Sequence, residues 1–425
     1  MGERKKYVLA GTGSRGLGMF AGPMLKDFTK YCELAAIFDA NPDRIKAANG
    51  LLGTNLKGYT DFDSMLEEVD PDAVIVTTRD DTHAQFIEKG LRAGKRVISE
   101  KPLCVNADQA RRILATAKQV RKNPKARCFV THNMRYGMAV NEMKKVLASG
   151  AIGDLKHVQF QENLDRRHGA DYFRRWHRLK RNSGGLLIHK ASHHFDVLNY
   201  LVDDLPDELV AQGGLTLYGK NGPFRAKRCL ECKHTSKCEF FVDMFQNERV
   251  RKLYREAEKA DGYLRDGCVF DKEIDIEDQV GVLYTYRKGV KVVYNLVAFA
   301  SYEGWVIQLE GTDGRLELHE VHDTSWLSAN PTNQGASPNL GKRLHLYHKS
   351  RGYKEIAIPE GKGGHGGSDP QLRHDFFGRP FDSKPTDRMA PVEEAVQAVL
   401  IGHAANVSLA RSSKVVHVQD FLKRG

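Results

Sequence analysis

The chain has 425 residues, of which 41% are hydrophobic and 28% charged, ordinary values for a soluble globular protein of two or at most three domains. No apolar run reaches the roughly 18 residues of a membrane span. The short Val8–Gly11 run is no signal-peptide core, and Lys6 stands where a myristoylation signal wants Ser or Thr, so a cytoplasmic protein is expected. The formal charge of +11 raises nucleic acid or a membrane surface as partners, but Lys and Arg are dispersed without a like-charge block, and neither is expected. Seven cysteines, an odd count without an export signal, speak against a disulfide scaffold.

Tyr7–Ala10 reads as a buried strand leading into Gly11-Thr12-Gly13-Ser14-Arg15-Gly16, and an apolar helical stretch follows. Such a G-x-G-x-x-G between strand and helix suits a dinucleotide. Gly11 permits the tight turn, Gly13 admits the pyrophosphate, and Gly16 packs helix on strand, with Ser14 and Arg15 at the helix N-terminus. A second strand, Leu34–Phe38, ends at Asp39, 23 residues beyond Gly16, where a ribose-binding carboxylate is expected. Asp39 would repel a 2′-phosphate, which favours NAD over NADP.

Ala73–Thr78 is a continuous apolar strand, followed by a helix over His83–Ala93 and a strand at Arg96–Ser99. This alternation implies a parallel sheet with right-handed crossovers. Thr77, Thr78 and His83 fall at strand carboxyl ends, where cofactor contacts are expected, although His83 also reads as a helix-start residue.

The stretch from His168 to Arg178 mixes aromatics with hydrogen-bonding groups. Tyr172, Arg174, Trp176 and His177 would suit a sugar, and a surface loop around a buried Trp is the alternative. The basic cluster Arg174, Arg175, Arg178, Lys180 and Arg181 reads as the lining of a pocket for a polar or anionic substrate. Cys229, Cys232, Cys238 and Cys268 have spacing that suits a structural zinc, with unligated thiols, a redox disulfide or an iron–sulfur cluster as alternatives. Strands are expected at Val280–Tyr286, Lys291–Tyr294, Trp305–Leu309 and Arg315–Leu318, forming an antiparallel meander. Ser325 to Gly341 reads as a loop. Gly363–Gly367 reads as a mobile loop that brings His365 and Asp369 to a ligand, or as a plain linker. A helix is expected over Pro391–Ala410.

The GTGSRG run, the segment from Thr82 through Glu100-Lys101-Pro102, Arg135-Tyr136, and the Gly-Gly to His-x-x-Asp stretch from Gly184 to Asp196 together resemble the Gfo/Idh/MocA oxidoreductases over nearly the whole chain. The resemblance implies an α/β Rossmann domain at 1–133. It implies an α+β domain at 134–425 with a large, mainly antiparallel sheet, interrupted here by a Cys-rich insertion at about 220–272. It also implies a homodimer or homotetramer. The implied reaction is hydride transfer between NAD(H) and a ring secondary alcohol of a sugar, glycoside or cyclitol. Glu100 and Lys101 would lie at the nicotinamide, Lys101 polarising the oxygen. His193 falls on the family's catalytic His, and His189 stands where the family has Asp, which removes an anionic partner. Lys190 adds a cation that would keep His193 neutral. Arg135 and His194 join the expected substrate contacts, with His365. An NAD-recycling glycoside hydrolase and a non-catalytic NAD(H) sensor are the alternatives.

Overall fold

The computed structural model describes residues 4–323 and 341–423, so the loop expected at Ser325–Gly341 lies, except for Gly341, outside the described residues. Strands β1 (Lys5–Ala10), β2 (Cys32–Phe38), β3 (Lys57–Tyr59), β4 (Ala73–Val76), β5 (Arg96–Ser99) and β6 (Cys128–Val130) form a parallel sheet in the order β6-β5-β4-β1-β2-β3. Val8, Leu9, Ala10 and all four residues of β4 are fully buried, because helices cover both faces of the sheet. Ala10 pairs with Val76, which places Gly11 beside Thr77 at the carboxyl edge. Asp39 and Glu100 follow β2 and β5 on that same edge. The helix His83–Arg92 starts at the residue that the sequence places there.

The other sheet has β7 (Leu155–Asp165), β8 (Pro206–Gly214), β9 (Gln279–Tyr286), β10 (Lys291–Ala300), β11 (Glu303–Gly311), β12 (Gly314–Asp323), β13 (Lys342–His348), β14 (Gly352–Ile356) and β16 (Val416–His417). Its order is β14-β13-β12-β11-β7-β10-β9-β8-β16, antiparallel throughout except for β7 and β10. The expected strands form, but not as a simple meander. β7 wedges between β10 and β11, and the short Ser301-Tyr302 link crosses its end. The apolar alternation of Val158, Phe160 and Leu164 buries this central strand.

The chain then returns to the parallel sheet. Helix Ser368–Phe377 packs Leu372, Phe376 and Phe377 against the core of β1, and β15 (Ala390–Pro391) adds antiparallel to β6. Helix Val392–Ala410 packs on helices Ala191–Val202 and Ala107–Val120 and on β8, joining the two halves. The polar insertion runs between β8 and β9. Asp278 closes its neck by accepting from the amides of Thr216 (2.9 Å), Leu217 (2.6 Å) and Tyr218 (3.1 Å).

Candidate active site

A cavity of about 570 Å³ lies along the carboxyl edge of the parallel sheet. Gly11, Gly13, Ser14, Arg15, Asp39, Thr77, Thr78, His83, Glu100 and Lys101 all border it. Gly11 has φ +96°, and a Cβ at Gly16 would meet the Gly11 carbonyl oxygen at 2.4 Å, so the turn admits only glycine at both positions. Asp39 accepts from the Thr12 amide at 2.9 Å and from Asn41 N at 3.0 Å, and it pairs with Arg44 at 3.0 Å. Ser14 Oγ is buried without a partner among the described residues, and the loop's donors suit a pyrophosphate. The residues present therefore fit a dinucleotide. Thr77 Oγ donates to the Gly11 carbonyl at 2.6 Å, and Thr78 Oγ accepts from Thr82 Oγ at 2.8 Å. His83 bridges the carbonyls of Thr78 (3.1 Å) and Pro102 (2.8 Å), tying β4 to the loop that carries Lys101.

Glu100, buried, accepts from Arg15 Nε at 2.9 Å and from the Lys101 amide at 3.3 Å. Lys101 Nζ donates to the His189 carbonyl at 3.0 Å. Burial pushes the Lys101 pKa down to about 8, with Lys190 and Arg15 adding to the effect and Asp80 and Glu100 opposing it. His189 Nδ1 lies 2.5 Å from Asp80 Oδ2. Burial raises Asp80 and lowers His189. One proton lies between these atoms, which fixes the ring and leaves Nε2 as the nitrogen that exchanges with the cavity. Asp80 thus supplies, from the loop after β4, a carboxyl partner for the His189 ring.

Tyr172, Trp176 and His177 also border the cavity. Trp176 stacks on His177 at 3.7 Å between centroids, and His177 meets the His189 ring edge-on at 4.2 Å. Tyr172 Oη pairs with His168 Nε2 at 2.9 Å, and His168 Nδ1 with Glu303 at 2.7 Å, so a chain of polar groups from β11 anchors this aromatic wall.

Several expected contacts lie elsewhere. Arg135 is buried in a bidentate pair with Asp196 (2.7 Å to each oxygen) and a third contact to Glu394 (2.7 Å). It locks the helix carrying His193 to the parallel sheet and does not border the cavity. Arg174 turns to the insertion, meeting Asp171 at 3.3 Å and the Phe240 carbonyl at 3.0 Å; its neighbour Arg175 borders the cavity instead. Arg178 pairs with Asp271 at 3.3 Å and Lys180 with Glu277 at 2.5 Å, so acids between β8 and β9 take up two of the five residues of the basic cluster. His194 is fully buried against the second sheet, with Tyr294 Oη at 2.8 Å. His365 is exposed and holds Asp369 at 2.7 Å, outside the cavity lining. Lys190 pairs with buried Glu162 at 3.1 Å. His193 packs 6.0 Å from His132 with Nδ1 unpartnered among the described residues, and it is not among the residues that border the cavity. Its pKa is lowered by burial first, then by Lys101, His132 and Lys190.

Cys229, Cys232, Cys238 and Cys268 border one small cavity of about 20 Å³. Cys232 Sγ accepts from His234 N, and Cys268 Sγ from Phe270 N, each at 3.4 Å. All seven cysteines are free thiols, and among the described residues no group of three or more His, Cys, Asp or Glu is arranged to hold a metal ion, so the expected zinc is not shown. No helix among the described residues is long and apolar enough to cross a membrane.

Sequence reasoning missed Asp80, Arg44 and the insertion residues Tyr254, Asp261, Tyr263 and Arg265, all of which border the main cavity. The place of Asp80 at the carboxyl end of β4 was a usable signal. The insertion residues gave none, because more than 200 positions separate them from the glycine loop.

The profile described as "Oxidoreductase family, NAD-binding Rossmann fold" matches residues 5–126, and that of "Oxidoreductase family, C-terminal alpha/beta domain" matches 144–418. YteT of Bacillus subtilis (strain 168), named as an oxidoreductase, is 30% identical over 429 residues, covering 97% of each chain. Inositol 2-dehydrogenase of Rhizobium meliloti (strain 1021) is 29% identical over 184 residues, covering 43% of this chain and 52% of its own. The solved structure of levoglucosan dehydrogenase with NADH and L-sorbose superposes with a TM-score of 0.69 at 19% identity, covering 98% of this chain and 100% of that one. With its parallel nucleotide-binding sheet, its second, mainly antiparallel sheet and these matches, the chain belongs to the Gfo/Idh/MocA family of oxidoreductases.

Proposed function

We propose that the protein is an NAD-dependent dehydrogenase that interconverts a ring secondary alcohol of a sugar, glycoside or cyclitol with its ketone. One observation carries this reading: Lys101, the Asp80–His189 pair and the Tyr172–Trp176 wall border the same cavity as the glycine loop and Asp39. The names of the inositol and levoglucosan dehydrogenases support the substrate class.

NAD, when bound, supplies the hydride acceptor, and the glycine loop and Asp39 would hold it. The Lys101 ammonium donates to the substrate oxygen and stabilises the charge that develops there. His189 Nε2 takes the hydroxyl proton, while Asp80 orients the ring and stabilises the imidazolium. Trp176 and Tyr172 cover the C–H face of the sugar, and Arg175 reaches its hydroxyls. Lys190 acts on Lys101, and His193 on His189, through their charges. The carboxylate of Asp39 favours NAD over NADP.

A structural zinc on Cys229, Cys232, Cys238 and Cys268 belongs to the same proposal: the four thiols border one cavity without yet forming a ligand set, and binding would draw them together. Elemental analysis tests it: about one zinc per chain is expected, and folded, metal-free protein removes it. A homodimer or homotetramer is the assembly that the family likeness suggests, and sedimentation tests it.

The test of function is absorbance at the NADH band while purified protein and NAD are screened against sugars, glycosides and inositols, with product analysis. Stoichiometric NADH and ketone are expected. Hydrolysis product without net NADH would replace this reading with a cofactor-recycling hydrolase, and binding without turnover would leave a sensor.

A further inference from the structure

The insertion does not hang away from the cleft. Its segment 247–265 lies across the nucleotide half. Leu253 and Ala257 are fully buried, and Leu253 and Tyr254 share a core with Leu17, Met19 and Phe20, just beyond the glycine loop. Asn41 Nδ2 donates to the Ala257 carbonyl at 2.8 Å, and Arg44 Nε to the Leu253 carbonyl at 3.1 Å. Arg44 also bridges Asp39 (3.0 Å) and Asp261 of the segment (2.6 Å), closing a latch over the ribose carboxylate.

At the other end, Tyr254 Oη accepts from the Ser14 amide at 2.9 Å and lies 3.2 Å from where a Gly13 Cβ would stand. That amide belongs to the loop whose N–H groups suit a pyrophosphate. Arg265 stacks on the Tyr254 ring at 4.3 Å and borders the same cavity, with Tyr263 and Asp171 also acting on its guanidinium. A phenol and a guanidinium thus stand at the pyrophosphate loop, on a segment latched down at the ribose end. Arg228 fastens the segment to the cysteine cluster, pairing with Glu258 at 3.0 Å and Asp266 at 2.7 Å, next to Cys229.

We propose that segment 247–265 is a strap that encloses the adenosine and pyrophosphate half of the dinucleotide, with Tyr254 and Arg265 as pyrophosphate-binding residues and Arg44–Asp261 as its latch. The strap must lift before the cofactor leaves, so release of the reduced cofactor is slow and limits each turnover. This inference rests on dinucleotide binding as read above, but not on the substrate class.

The experiment has two readouts. The NAD(H) carried by freshly purified protein is released by denaturation and quantified by mass spectrometry. The release rate of NADH is then followed by its fluorescence on displacement with excess NAD. Wild type is expected to carry close to one equivalent per chain and to release it slowly. Tyr254→Phe, which keeps the packed ring, and Arg265→Gln are each expected to speed release about tenfold, and Asp261→Asn somewhat less, with melting temperatures near that of wild type. Release from the variants at the wild-type rate, or wild type that carries and binds no dinucleotide, overturns the strap. Sugar-dependent NADH formation with unchanged release rates would sink the strap and leave the dehydrogenase. Slow, strap-dependent release without turnover of any sugar would do the reverse.

Discussion

The two halves of the cleft are built in different ways. The nucleotide half is a local construction. Gly11 to Gly16 is one turn, Asp39 ends the next strand, and Thr77 sits beside Gly11 because β1 and β4 are in register. The half proposed as catalytic is assembled across the chain: Asp80 meets His189 over 109 positions, and Lys101 meets the His189 carbonyl over 88. Backbone geometry carries the first and side-chain geometry the second. Changes in the two halves should therefore fail differently, the first through cofactor affinity and the second through turnover.

The sharpest separation is expected from Lys101→Met. It removes the donor to the reacting oxygen, and kcat/KM should fall about 10³- to 10⁴-fold while NADH still binds. Loss of cofactor binding instead would place Lys101 in the nucleotide half. Asp196→Ala strands the buried Arg135 guanidinium and should lower stability by about 3–5 kcal/mol, read by chemical denaturation. A neutral result would show that the Arg135–Asp196 lock is dispensable. Asp80→Asn leaves the shape but removes the anion at His189, and turnover should fall about a hundredfold, with His193→Ala costing less than His189→Ala. The reverse order of the two histidines would move the base to His193.

The smallest effect belongs to the other half. Asp39→Ala should weaken NAD roughly tenfold, and it removes the carboxylate that repels a 2′-phosphate while Arg44 stays held by Asp261, so discrimination against NADP should relax. Equilibrium binding of both cofactors checks this, and an unchanged preference would remove Asp39 from the ribose role.

The same division explains what could be read from the sequence. Strand, glycine turn and terminal acid follow from spacing, and β1, β2, β4 and β5 lie where alternation and apolar runs put them. The order of the second sheet was not legible, because nothing in β10 or β11 says that β7 will come between them. In the site, Tyr172, Trp176 and His177 follow from residue types in one stretch, and Lys101 and His189 from the family resemblance; all five border the cavity. Arg135, Arg174 and His194 look alike in sequence, but their charges and rings are spent on Asp196, Asp171 and Tyr294. Whether a polar side chain serves a cleft or a core depends on a partner that may be a hundred positions away, as with Asp80, or on an insertion, as with Tyr254.

The most direct test of the Lys101 role is the pH dependence of kcat/KM with the best substrate, for wild type and Lys101→Met. Burial holds Lys101 near 8 and keeps His189 neutral across the neutral range. The ammonium is therefore present below about 8 and lost above it. Wild-type kcat/KM should be level near neutrality and fall above about pH 8, whereas the residual activity of Lys101→Met should show no such limb. The same limb in the variant, or near-normal turnover by it, would contradict Lys101 as the group that meets the reacting oxygen.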